Sequence, residues 1–124
     1  MINIFKSHHP VRHAKSFKYA FAGIFHALIN EPNFRVEVVI VSIVVAAGLR
    51  VGLSNLEWAI IVITMGWLLS AEMINTVVEE TVDAFVQEFH EAAKIIKDLA
   101  AGYVLITAFV SGFVMLFIFF PHLW

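Results

Sequence analysis

The chain has 124 residues, 60% of them apolar, a mean hydropathy of +0.86 and a formal net charge of −2. A soluble domain is only about 45–50% apolar and one this short buries only about two-thirds of its surface, so a water-soluble fold is excluded and lipid must cover the rest. The eight Lys and Arg form no dense run, which argues against nucleic acid, and the lack of cysteine rules out a disulfide framework, thiolate metal site or cysteine nucleophile.

Residues 1–18 are polar and basic, with Lys6, Arg12, Lys15 and Lys18, and hold no short apolar core with a small-residue cleavage site. A cleaved signal peptide is not expected. His8, His9 and His13 have the look of a weak metal tract but read better as part of an unstructured arm. From about 14 to 30 the pattern turns helical. Phe17, Phe21, Ile24, Phe25 and Leu28 fall within about 100° of one another, with Lys15, Lys18 and His26 opposite. A basic amphipathic helix beside a span lies in the interface plane; the alternative is a helix packed on protein. Pro32 should end or kink it after Asn30 and Glu31.

Three apolar runs follow, at 36–53, 58–78 and 102–120. The first carries Glu37 and Arg50 at its edges and can span with tilt, Arg50 reaching toward the interface. The second holds a single charge, Glu72, and the third none, ending at Pro121 with Trp124 as an interface anchor. Between them, 79–98 is polar, without Gly or Pro, and should continue the second span as helix before a turn reverses the chain. Basic residues flank the first span's start and lie at Lys94 and Lys97, with only Arg50 near the first hairpin. The N-terminus and 79–101 are therefore expected in the cytoplasm and the C-terminus outside. The fold class this implies is all-α integral membrane, with three transmembrane helices plus an N-terminal amphipathic surface helix.

Chemistry concentrates in AEMINTVVEETVD, 71–83. On a helix Thr76, Glu79 and Asp83 all lie within about 40° of Glu72, with Asn75 about 60° to one side. An ionisable residue in a spanning helix costs at least ~2.5 kcal/mol and by default marks function. Carboxylates without His or Cys partners suit hard cations such as Mg²⁺, which is held by one or two carboxylates plus substrate phosphates. Glu31 before the first span and Lys97-Asp98 before the third are expected at the same level. Metal-bound phosphates, a basic group and a base near the attacking oxygen are the needs of phosphoryl transfer. Each residue also has a plainer reading: Glu72, Asn75 and Thr76 as interhelical glue, Glu79, Glu80 and Asp83 as a solvated face, Glu31 as a turn residue, Lys97 as a topogenic charge with Asp98 as its partner, His90 as a solvated loop imidazole. There is no Walker phosphate loop and no protein-kinase motif set.

NEPNFRVE at 30–37, EMINTVVEETVD at 72–83 and EFHEAAKIIKD at 88–98, with weaker matches at Arg12, Tyr19 and Gly23, make the chain resemble the small prokaryotic diacylglycerol kinases, of which undecaprenol kinases are close relatives. The likeness runs from about 12 to 120. It implies a homotrimer with active sites between subunits at the cytoplasmic interface, using ATP and Mg²⁺. It implies Glu72 as catalytic base, Asn75 as an orienting helper, and Glu31 and Glu79 as Mg²⁺ ligands that also hold the nucleotide phosphates. Glu88, His90, Lys97 and Asp98 match ATP-binding positions, and Arg12 and Tyr19 are expected to add to that site. Val77 and Glu80 stand where the family often has small residues, Pro32 follows Glu31 directly, and Leu99-Ala100-Ala101 replaces a Gly-Ser seen in some relatives. The expected activity is ATP-dependent phosphorylation of a membrane lipid hydroxyl, diacylglycerol first and undecaprenol as the alternative. A non-catalytic helix-packing subunit and a transporter are the readings from other classes.

Overall fold

A computed structural model describes residues 10–124; Lys6, His8 and His9 lie outside the described residues. Four helices follow one another: α1 (Pro10–Asn30), α2 (Pro32–Val51), α3 (Asn55–Phe85) and α4 (Glu91–Phe119), with a 3-10 turn at Phe120–Leu123. α1 starts four residues before the expected position, so His13 is helical rather than part of an unstructured arm. The stripe Phe17, Phe21, Ile24, Phe25 and Leu28 is exposed, from 38 to 68%. The buried residue of α1 is Ala27. The helix therefore meets the rest of the chain on a different side and leaves its aromatic face for something else to cover.

The break between α1 and α2 is one residue long. Glu31 is extended at φ −100° and ψ 107°, and Pro32 opens α2, because proline pushes its predecessor out of the α region and suits the first helical position. The Arg35 guanidinium donates to the Ile29 carbonyl, and the Asn30 amide donates to the His26 carbonyl at 3.0 Å. The Arg35 bond closes a carbonyl that the end of α1 leaves without a helical partner.

The second connection is fixed by glycine and a capping box. Gly52 has φ 80°, a left-handed conformation, and its N–H donates to Gly48 O at 3.0 Å. The Ser54 hydroxyl accepts from Glu57 N while the Glu57 carboxylate accepts from Ser54 N at 2.8 Å. A Cβ on Gly48 would stand 2.8 Å from the Trp58 ring and 2.9 Å from Leu53. Gly48→Ala should therefore overpack the hairpin and cost about 1–3 kcal/mol, read as a lower melting temperature in detergent. At the same end of the molecule His122 Nε2 lies 2.7 Å from Glu57 Oε1, tying the terminal turn to the start of α3.

α3 and α4 form the most extensive pairing. The buried residues of α3 are Ile61, Thr64, Met65, Leu68, Ala71, Glu72, Asn75 and Thr76, a stripe at helical spacing. It is mostly apolar through its first turns and polar from Glu72 onward. The apolar part joins Leu53 and Ile118 in a small core, with Val44 and Trp58 packed against it. The Trp67 indole donates to Tyr103 Oη at 2.8 Å and fastens the pair midway. Outward faces remain apolar, with Ile63 71% and Phe117 79% exposed.

Among the described residues two helices, α3 and α4, are long and apolar enough to cross a membrane. α2 coincides with the expected first span and carries Arg35, Glu37 and Arg50 over its 20 residues; it does not join them. The stretch 79–98 is not one continuous helix. α3 stops at Phe85, and α4 begins at Glu91 with His90 as its N-cap, its Nδ1 accepting from Ala92 N at 3.2 Å. The polar segment is thus divided between both helices, and the chain turns at 86–90 rather than just before 102.

Candidate active site

The candidate residues fall into two clusters, one on the buried face of α3 and one in the 86–90 turn. In the first, Glu72 is 2% exposed on α3. It interacts electrostatically with Glu79, seven residues on along the same face, and with Glu31 at the joint. Asn75, 5% exposed, donates from Nδ2 to Glu79 Oε1 at 3.2 Å. Its Oδ1 is buried with no hydrogen-bond partner in the chain. Asn75 and Glu79 are thus bonded to each other, and Glu31 and Glu79 both lie near enough to Glu72 for their charges to act on it. Glu80, a charge beside the metal ligand in the sequence, is exposed and turned out of the stripe.

The second cluster is a cavity of about 310 Å³ in the 86–90 turn, lined among others by Asp83, Glu88, His90, Lys94, Lys97 and Asp98. Four expected nucleotide-binding residues (Glu88, His90, Lys97 and Asp98) thus share one concavity. Lys97 Nζ donates to both Asp83 oxygens, at 2.9 and 3.1 Å, while Asp98 pairs with Lys94 instead. The reading of Asp98 as the partner of Lys97 is corrected: at i and i+1 on a helix the two do not face each other, whereas Lys94 and Asp98 at i and i+4 do. Lys97 also feels the charge of Glu79, one turn before Asp83 on α3, without an ion pair between them. It lies outside the uncharged stretch 102–120, and its bond with Asp83 holds it above the usual lysine range.

Arg12 and Tyr19 are exposed on α1, about five and three helical turns before Asn30; their assignment rests on the resemblance. The structure adds three residues to those expected at the site. Asp83 was on the stripe but had no role, and it is the anchor of Lys97. Asn33 of α2 is exposed and lies near enough to act on Glu72, with no hydrogen bond between them among the described contacts. Glu37 is buried beside Glu72. The signals for the last two were Asn33 and Glu37 at i and i+4, and a glutamate set among valines.

Among the described residues no three His, Cys, Asp or Glu side chains converge closely enough to hold a metal ion alone. Glu31, Glu79 and the unpartnered Asn75 oxygen are hard-oxygen donors by their chemistry. That set fits Mg²⁺, which takes few protein ligands and completes its shell from phosphates and water.

Compared with known proteins, residues 18–119 match the model of the prokaryotic diacylglycerol kinase family. The chain belongs to that family. As a family member it is an integral membrane lipid kinase that uses ATP, which sets aside the helix-packing and transporter readings. It is 39% identical over 112 residues to the undecaprenol kinase of Bacillus subtilis, covering 90% of this chain and 91% of that one. It is 37% identical over 97 residues to a diacylglycerol kinase of Synechocystis, 77% of this chain and 55% of that one. The Escherichia coli K12 diacylglycerol kinase is 28% identical over 97 residues, 78% of this chain and 80% of the relative.

Proposed function

We propose that this lipid kinase transfers the γ-phosphoryl group of ATP to the terminal hydroxyl of a long-chain lipid, with Glu72 as base. The observation that carries the reading is that Glu88, His90, Lys97 and Asp98 line one cavity of about 310 Å³ at the end of α3, the helix that carries the buried Glu72 and Asn75. Glu72 stands on the buried face, where a lipid headgroup arrives from the membrane, and Lys97 stands where a nucleotide arrives from water. Glu72 takes the hydroxyl proton as the lipid oxygen forms its bond to the γ-phosphorus and the bond from that phosphorus to the β–γ bridging oxygen breaks, releasing ADP. Asn75 bonds to Glu79 and keeps that carboxylate toward the phosphates. Glu31 and Glu79 would hold Mg²⁺, whose charge offsets that of the phosphates. Glu88, His90 and Asp98 line the nucleotide side, and Arg12 and Tyr19 would add to it from α1, as the family likeness implies.

The assembly that suits these surfaces is a homotrimer with α2, α3 and α4 all spanning the bacterial cytoplasmic membrane. The N-terminus and the 86–90 turn face the cytoplasm, and α1 lies in the interface on its aromatic face. The exposed apolar sides of the helices support it. So does the placement of most basic residues at one end.

The lipid is undecaprenol on this reading, because the relative of that name matches over nine-tenths of both chains. Diacylglycerol, first on sequence alone, becomes the second reading; it is supported by kinases of that name at 28 and 37% identity. The test is transfer of labelled γ-phosphate from ATP to each lipid separately, with purified protein in mixed micelles and Mg²⁺. Product with undecaprenol and little with diacylglycerol is expected. The reverse result would move the substrate, and no product from either with folded protein would remove the proposal.

A further inference from the structure

Thr76 carries a hydroxyl with no partner in the chain. The residue is 8% exposed, and its Oγ1 is buried without a hydrogen bond. Ser70 and Thr81 on the same helix each donate to the carbonyl four residues back, at 2.7 and 2.6 Å, the usual way for a helical hydroxyl to satisfy itself. Thr76 makes no such bond, although the Glu72 carbonyl stands in the same relation to it. Nor does it bond to another helix of the chain, so it is not interhelical glue within the subunit. A buried hydroxyl left unpaired opposes folding.

Helical geometry gives its direction. Thr76 is eighteen residues, five full turns, beyond Trp58, and Trp58 packs on α2 at Gly48. Thr76 therefore faces the same way, toward α2. It is as far along the chain after Leu53 as Asn30 is before it, so the α2–α3 hairpin brings Thr76 level with the joint at Glu31. The contact of α1 with α3 agrees, because α1 meets α2 through that one residue. What α2 presents at its start is a pair of free backbone donors. The leading N–H groups of a helix have no helical acceptor. Here Glu31 N donates to Ala27 O at 2.9 Å, Pro32 has no N–H, and no side chain caps the helix. The amides of Asn33 and Phe34 remain, at the positive end of a 20-residue helix.

Resting on the reading of Glu72 as base, we propose that the Thr76 hydroxyl and the amides of Asn33 and Phe34 form the seat of the transferring phosphoryl group. In that transfer charge spreads over the equatorial oxygens of the phosphoryl, while the attacking and leaving oxygens stay in line. A helix start suits such oxygens through its free N–H groups and its dipole. Thr76 adds a hydroxyl donor from the opposite helix, one turn from Glu72. The lipid hydroxyl thus meets the base and the phosphorus on one face. Donors fixed where negative charge gathers stabilise the transition state more than the ground state.

The test compares Thr76→Val and Thr76→Ser with the parent in the lipid assay. Thr76→Val keeps the shape and loses the donor, and should lower kcat by about 10²-fold, as loss of one such donor does, with KM for lipid and ATP nearly unchanged. Thr76→Ser should recover most of the rate. Inhibition by ADP with aluminium fluoride, which imitates the phosphoryl in flight, should weaken in parallel with kcat, while inhibition by ADP alone stays as in the parent. A structural role for Thr76 would not split those two inhibitors, and Thr76→Val should melt at or above the parent temperature. Parent kcat in Thr76→Val, a loss confined to KM, or equal weakening of both inhibitors overturns the inference and leaves Glu72 as base. Turnover by a folded Glu72→Gln overturns the base assignment itself, and absence of transfer by the parent removes the kinase reading.

Discussion

Replacing Glu72 by Gln should lower kcat by about 10²–10⁴-fold, the span that a positioned general base contributes, and leave nucleotide binding largely intact. The substitution preserves size and the capacity to accept a hydrogen bond at a site 2% exposed, so the fold has little reason to change. What disappears is the group that takes the proton when the lipid oxygen attacks. Nucleotide affinity depends on the Lys97 cavity and the Glu31–Glu79 level, neither of which loses an atom. Phosphate transfer and nucleotide titration on the same purified sample separate the two effects. Loss of ATP binding in parallel with turnover would mean that Glu72 belongs to the phosphate site instead.

The second large effect is expected at Lys97. Lys97→Met removes the only cation that interacts with both Glu79 and Asp83 in the described contacts. A hydrogen bond to a charged group is among the stronger polar contacts, so KM for ATP should rise by roughly 10–100-fold with a smaller change in kcat. The exposed Asp83 partner makes the resting ion pair itself of little consequence for stability. Because the bond with Asp83 raises the proton affinity of Lys97, any stability from the pair is full below the ordinary lysine value and lost only as pH rises through the higher folded one. ATP affinity should therefore show no loss assignable to this group across neutral pH. A fall in affinity near neutrality that disappears in Lys97→Met would contradict the assignment.

Local signals carried far in this chain. The aromatic stripe of α1, the break at Pro32 and the face shared by Glu72, Thr76 and Glu79 could all be read because each follows from helical periodicity or proline geometry. The convergence of Glu31 with that face needed tertiary structure or a family likeness, since nothing within 30–37 says which helix it will meet. The turn at 86–90 was missed because Val86 to His90 contains neither Gly nor Pro, and a polar helical pattern runs through it. What ends α3 there is the return of α4 to pair with it and the histidine cap that starts α4. Asp83 was visible on the stripe, but its partner lay fourteen residues away across that turn. Glu37 was read as the edge of an apolar run, because burial beside another carboxylate is a property of two helices and leaves no periodic mark.

Glu31 stands alone between two helices of 21 and 20 residues. On the proposed reading, in which α1 rests on the bilayer surface and α2 crosses it, the angle between them would depend chiefly on two backbone dihedrals of that single residue. The carboxylate rides on the same atom that those dihedrals turn. Membrane thickness and surface tension, acting on long levers at either side, would thereby become coordinates of the phosphate site.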